Sequence, residues 1–125
     1  MTSELAIRDL DFEAKVDLET SQLPRLELTG TADGTVVAHF AGLILDLHHK
    51  LVELRARAVT VDIRALEVMN APCFNVFVNW LGVITDLPSE QRYRLEFASN
   101  PAIPWQRRSL KTLACFATDL VGVDG

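Results

Sequence analysis

The run Ala58 to Ile63 (AVTVDI) constrains the fold more than any other feature, because it is a short β-branched segment set between two longer segments of helical period. Branched side chains pack well on a pleated, half-buried surface. Upstream, Val36, Phe40, Leu43, Leu47, Leu51 and Leu54 recur at three- and four-residue steps and predict a helix over Thr35–Ala56. Downstream, Asn70–Asp86 predicts a second helix, with Pro72 in its first turn, where a missing N–H costs nothing. A strand entered from one helix and left into another joins its neighbours by crossovers. It therefore belongs inside a sheet with a parallel or mixed core.

The remaining segments fit the same alternation. Phe12–Glu19 places apolar side chains at every second position, and Leu23-Pro24 breaks it. Arg25–Thr29 is a second short strand, and Gly30–Gly34 (GTADG) reads as a turn, with Asp33 or Thr31 able to cap the helix after it. Leu87-Pro88 ends the second helix, Tyr93–Ala98 is a strand, Pro104–Thr118 a third helix, and Leu120–Val123 a short final strand. The expected order is β-β-α-β-α-β-α with a closing β.

A chain of 125 residues, 49% hydrophobic, suits one domain over residues 1–125 that needs no disulfide or metal to fold. Residues 1–11 are expected to form a flexible or loosely packed N-terminal segment. The net charge of −5 argues against nucleic-acid binding, which requires a basic surface. No signal peptide is apparent, and the most apolar stretch, Cys73–Ile84, carries Asn75 and Asn79 and is too short to span a membrane. Cys73 and Cys115 lack metal-ligand spacing and read as reduced, small core residues of a cytoplasmic protein.

No catalytic motif is present: there is no GxGxxG, Walker A loop, HExxH or GxSxG. Gly30–Gly34 lacks the lysine and glycine density of a phosphate loop and reads as a plain turn. His39, Asp46, His49 and Glu53 share one face of the first helix, but a single helix rarely supplies a convergent metal site, so they read as a solvated face. His48 reads as a boundary residue. Arg107, Arg108 and Lys111 form a basic cluster on the third helix, read either as a solvated face with Trp105 packed beneath or as a secondary docking patch for an acidic partner. The helix Asn70–Asp86 is apolar nearly all round, with Asn75, Asn79, Gly82 and Asp86 on a narrow polar face. A neighbouring element or a partner must cover the rest.

The run Val59–Leu81 (VTVDIRALEVMNAPCFNVFVNWL) resembles the central strand and following helix of STAS domains, the sulfate-transporter and anti-sigma-factor-antagonist family. Asp62 matches the aspartate that ends the family's strand, and Val68 and Met69 match its second apolar stretch. Leu26–Asp33 (LELTGTAD) is similar to the family's lead-in to its first helix, and the order of later elements extends the likeness from about Phe12 to Val123. The family's Asp-Ser-Ser-Gly falls on Asn70, Ala71, Pro72 and Cys73, so Pro72, without a hydroxyl, stands where the phosphoacceptor serine would be.

The resemblance implies an α/β fold: a STAS-like mixed sheet of about four to five strands packed on one side by about three to four helices. It also implies a regulatory, non-catalytic protein-binding module of a bacterial cytoplasm, without a cofactor and without the family's usual phospho-switch. The implied partner is another protein: a kinase-like anti-sigma factor, or a phosphatase or scaffold partner. The implied contact surface is Asp33, Asn70, Ala71, Pro72, Cys73, Asn75 and Asn79. The alternative is a structural subunit that self-associates as a homo-oligomer or scaffolds a larger bacterial complex.

Overall fold

The computed structural model describes residues 6–9, 11–18 and 24–124. Ten elements follow one another: β1 (Ala6–Asp9), β2 (Phe12–Asp17), β3 (Arg25–Ala32), α1 (Val37–Glu53), β4 (Ala58–Met69), α2 (Ala71–Thr85), a 3-10 turn (Ser89–Gln91), β5 (Arg94–Ala98), α3 (Pro104–Phe116) and β6 (Val121–Asp124). The six strands form one sheet in sequential order. β1, β2 and β3 pair antiparallel, and β3 through β6 pair parallel. The sheet is thus mixed, with helical crossovers where the strands run parallel, and it has six strands where four to five were expected.

The sheet has two unlike faces. Leu26, Leu28, Val59, Val61, Ile63, Leu95 and Phe97 are buried and alternate with Arg25, Glu27, Thr60, Arg94 and Glu96, which are exposed or half-buried. The apolar face packs against the helices, and α2 touches both α1 and α3. Phe40 of α1 and Phe77 of α2 meet edge-to-face at 5.7 Å, and Phe77 meets Phe97 of β5 at 5.3 Å, so aromatic rings tie helix to helix and helix to sheet.

Several boundaries moved from their expected places. Gly30 and Ala32, expected in a turn, lie inside β3, and the turn follows at Asp33–Thr35. Gly30 has φ 92, a left-handed value, and any side chain there would run into the carbonyl oxygen of Asp11. Ala6–Asp9, inside the segment expected to be loosely packed, pairs with β2 as β1. Met1–Leu5, Glu19 and Leu23, which figured in the expected N-terminal segment, first strand and break, lie outside the described residues.

β4 is twelve residues long and continues six residues past the expected end at Ile63. β3 follows it to the end, pairing Ala32 with Met69, across two register shifts. β5 stops earlier, its last pair being Asp62 with Ala98. Beyond that point side chains replace the missing strand. Gln106 Nε2 donates to the carbonyls of Ile63 (2.6 Å) and Leu66 (2.9 Å), Asn100 Nδ2 to that of Arg64 (3.1 Å), and Trp105 Nε1 to that of Glu67 (2.7 Å). Backbone groups near a core must find partners. Here the start of α3 and the loop before it supply them.

Candidate functional site

Because β3 and β4 stay paired to their last residues, α1 and α2 start side by side at one end of the sheet. The backbone N–H of Asn70 donates to Ala32 O at 3.0 Å and closes the ladder. Asn70 is then the N-cap of α2: its φ of −79 and ψ of 170 are extended, and its side-chain oxygen accepts from Cys73 N–H at 3.0 Å. Pro72 occupies the first turn. The opposite wall is the β3–α1 loop. Asp33 Oδ1 accepts from both the backbone N–H (2.9 Å) and the hydroxyl (2.6 Å) of Thr35. It does not cap α1, whose N-cap is Val36 without a side-chain bond, and neither does Thr31, which lies in β3. A local turn formed by an aspartate with the residue two ahead competes with capping, and here the turn wins. The side-chain and backbone hydrogen bonds from Thr35 hold the Asp33 carboxyl below its ordinary range.

The surface so formed is exposed at Asp33, Gly34, Thr35, Ala71, Pro72 and Asn75, half-buried at Asn70, and flanked by Val68, which is 51% exposed. Apart from Asp33 it is uncharged. Cys73 does not belong to it. Its side chain is fully buried and its thiol donates inward to Asp33 O at 3.2 Å, as fits the reading of Cys73 as a small core residue and not the contact role. Burial, with the Asp33 charge adding, raises its pKa, so it remains a thiol at neutral pH. Asn79, one turn beyond Asn75, is exposed and rims a separate apolar groove of about 130 Å³ between α1 and α2, lined also by Ile44, Leu45 and Val76.

Arg107, Arg108 and Lys111 are all exposed on α3. Trp105 is half-buried and is held by the main chain of Glu67, in the stretch of β4 that leads into α2. The basic cluster therefore rides on the helix clamped to this end of β4.

Asp62, the residue matched to the strand aspartate, is 3% exposed and pairs with two arginines. Arg25 of β3, which lies opposite Thr60, reaches it diagonally from the neighbouring strand. Arg64 donates to it from its backbone N–H (3.0 Å), Nε (3.0 Å) and Nη2 (2.8 Å). Burial alone would raise its pKa, but the Arg64 hydrogen bonds and the charges of Arg64 and Arg25 outweigh burial and hold it low. Its role is to anchor the polar face of the sheet.

Two further expectations resolve here. His48 is buried, not at a boundary: its Nδ1 lies 2.6 Å from Tyr93 Oη, which also accepts from Trp80 Nε1 at 2.6 Å. Cys115 is exposed and is not a core residue, because α3 buries Gln106, Leu110 and Leu113 along a stripe that leaves position 115 outside. On α1, Glu53 pairs with Lys50 at 3.7 Å, and among the described residues no three His, Cys, Asp or Glu side chains lie close enough to share a metal ion. Among the described residues, no helix is long and apolar enough to cross a membrane.

Comparison with solved structures decides the fold. The crystal structure of an anti-sigma factor antagonist from Mycobacterium paratuberculosis superposes over 89% of this chain and 85% of its own, with a TM-score of 0.61 and 13% identity. The chain has the STAS fold. No family model and no curated protein matches the sequence. The likeness thus lies in the backbone, at 13% identity.

Among the residues that shape the site, sequence reasoning missed Gln106 and Thr35, and it placed Val68 in an apolar stretch without its exposure beside the surface. Gln106 carries a polar side chain that would ordinarily be exposed, and Val68 lies past the expected strand end. Thr35, two residues after an aspartate, is the one with a readable signal, since Asp-x-Thr favours a side-chain turn.

Proposed function

We propose that this chain is a non-catalytic regulatory module that binds another protein through the surface of Asp33, Thr35, Asn70, Ala71, Pro72 and Asn75. Arg107, Arg108 and Lys111 serve as a secondary patch for acidic groups on the partner. The observation that carries this reading is the start of α2. The Cys73 N–H is satisfied internally by Asn70, and the exposed first turn presents alanine and proline, which offer a neutral surface ready for burial. The likeness to an anti-sigma factor antagonist supports a protein partner, a kinase-like anti-sigma factor or a phosphatase or scaffold protein of a bacterial cytoplasm. Free Cys73 and exposed Cys115 fit a reducing compartment.

Pro72 has no hydroxyl, so binding is not switched by phosphorylation there. Pro72→Glu tests this, because a glutamate in the first turn of a helix favours the fold while placing a charge in the interface. Affinity capture from native cells with parent and P72E baits should show the parent's partner lost from the variant at an unchanged melting temperature. Equal capture by both would remove the proposed surface.

A second reading, self-association, is favoured by Leu45, which is 49% exposed beside the α1–α2 groove. Light scattering that finds a monomer at tens of micromolar would eliminate it.

A further inference from the structure

At the other end of the sheet, the α1–β4 connection and the 3-10 turn before β5 enclose a cleft of about 820 Å³. Three arginines line it, Arg55, Arg57 and Arg92, in a chain whose net charge is −5. Arg92 is fixed by its own hydrogen bonds, Nε to Leu87 O (3.0 Å) and Nη2 to Thr85 O (2.8 Å). Arg55 and Arg57 are exposed, and no described residue forms an ion pair or side-chain hydrogen bond with either guanidinium. Two glutamates share the lining; Lys50 sits 3.7 Å from Glu53, leaving Glu90 as the counter-charge.

Arg55 is also the one non-glycine among the described residues with a positive φ, at 54. It follows the C-cap of α1, where its N–H donates to Val52 O (3.1 Å) and that of Ala56 to Leu51 O (3.0 Å). Glycine is the usual occupant of that helix-ending position. Arginine there is held in a conformation that glycine would adopt without strain, and what it adds is a guanidinium at the cleft.

We propose that this cleft binds a small phosphate-bearing anion, gripped by the free guanidiniums of Arg55 and Arg57, with Arg92 as a fixed positive charge behind them. Its volume lies within the roughly 300–1,000 Å³ of small-molecule sites, and a guanidinium matches a phosphate with paired N–H donors. The cleft is at the N-terminal end of β4, opposite the α2 surface, so the inference stands independently of the partner-binding reading.

Isothermal titration of the whole chain with pyrophosphate, ADP and adenosine at low salt tests it. Pyrophosphate and ADP should bind, more weakly as salt rises, and adenosine should not. Equal affinity for the first two identifies the phosphate groups as the ligand, and tighter ADP binding adds a nucleoside. Arg57→Ala and Arg55→Gly should each weaken binding about tenfold by removing a charge-assisted contact, while Glu90→Gln should strengthen it. R55G should melt no lower than the parent, since glycine suits the left-handed position, so its loss of binding cannot reflect misfolding. Absence of binding by both anions at millimolar concentration would overturn the proposal. So would parental affinity in R55G and R57A, or adenosine binding as well as ADP.

Discussion

Gln106 offers the sharpest test of how the end of β4 is held. It is fully buried, and its amide makes three bonds: Nε2 donates to Ile63 O and Leu66 O, and Oε1 accepts from Asn100 N–H at 2.8 Å. Gln106→Leu keeps the volume and removes all three. Each buried polar group left without a partner costs about 1–3 kcal/mol. Three such groups set a floor of about 3 kcal/mol, and water reaching the half-buried Asn100 keeps the loss to about 3–5 kcal/mol. For a chain of this size that is a fall in melting temperature of roughly 10–20 °C. Urea titration followed by circular dichroism measures it, with Arg107→Ala as the exposed neighbour expected to change stability by less than about 0.5 kcal/mol. Hydrogen exchange should also accelerate selectively over residues 64–69. A Q106L loss below about 1 kcal/mol, no larger than an average substitution, would refute the claim that these side chains stand in for the missing strand.

Two further outcomes follow from the geometry. Burial, and then the neighbouring His49, lower the pKa of His48 from 6.5. Tyr93 Oη accepts from Trp80, which leaves its O–H to donate a hydrogen bond to Nδ1 of a neutral His48. The unfolded chain therefore binds this proton at higher pH than the native one, and stability that is complete above about pH 7 falls as pH drops through 6.5. Asp62, also lowered, contributes stability present above pH 3.8 and lost as pH falls below that toward its native pKa. Urea midpoints across pH 7.5 to 3 should show both declines; His48→Gln should flatten the first, and an unchanged slope would contradict this assignment. Separately, Gly30→Ala should cost about 3 kcal/mol or more through its left-handed φ and the clash with the Asp11 carbonyl. A G30A chain that melts with the parent would show that this crossing is not tight.

The element order and the three helices were readable because their periodicity is local. Thus Phe40, Leu47 and Leu51 mark α1 as plainly in sequence as in space. What escaped depended on tertiary partners. β1 is four residues carrying Arg8 and Asp9, with no strand signal apart from its pairing to β2. The continuation of β4 past Ile63 is hidden because Arg64, Ala65, Glu67 and Val68 point outward, which breaks the alternation expected of a strand. His48 and Gln106 are polar, and nothing local announces that Tyr93, in one case, and the carbonyls of β4, in the other, wait to satisfy them. The candidate site was legible at Asn70 and Pro72, since an N-cap followed by proline is a sequence-level helix start. The inward turn of Cys73 follows from helix phase combined with the position of Asp33, and only the first of these is in the sequence.

A partner protein that docks as proposed meets the start of α2. Amide chemical-shift mapping on the ¹⁵N-labelled chain, titrated with a captured partner, tests it most directly. Perturbations should concentrate at residues 33–35 and 68–75, with weaker changes at Arg107, Arg108 and Lys111. Perturbations confined to the polar face of the sheet around Arg25, Thr60 and Glu96, with residues 68–75 unmoved, would contradict it.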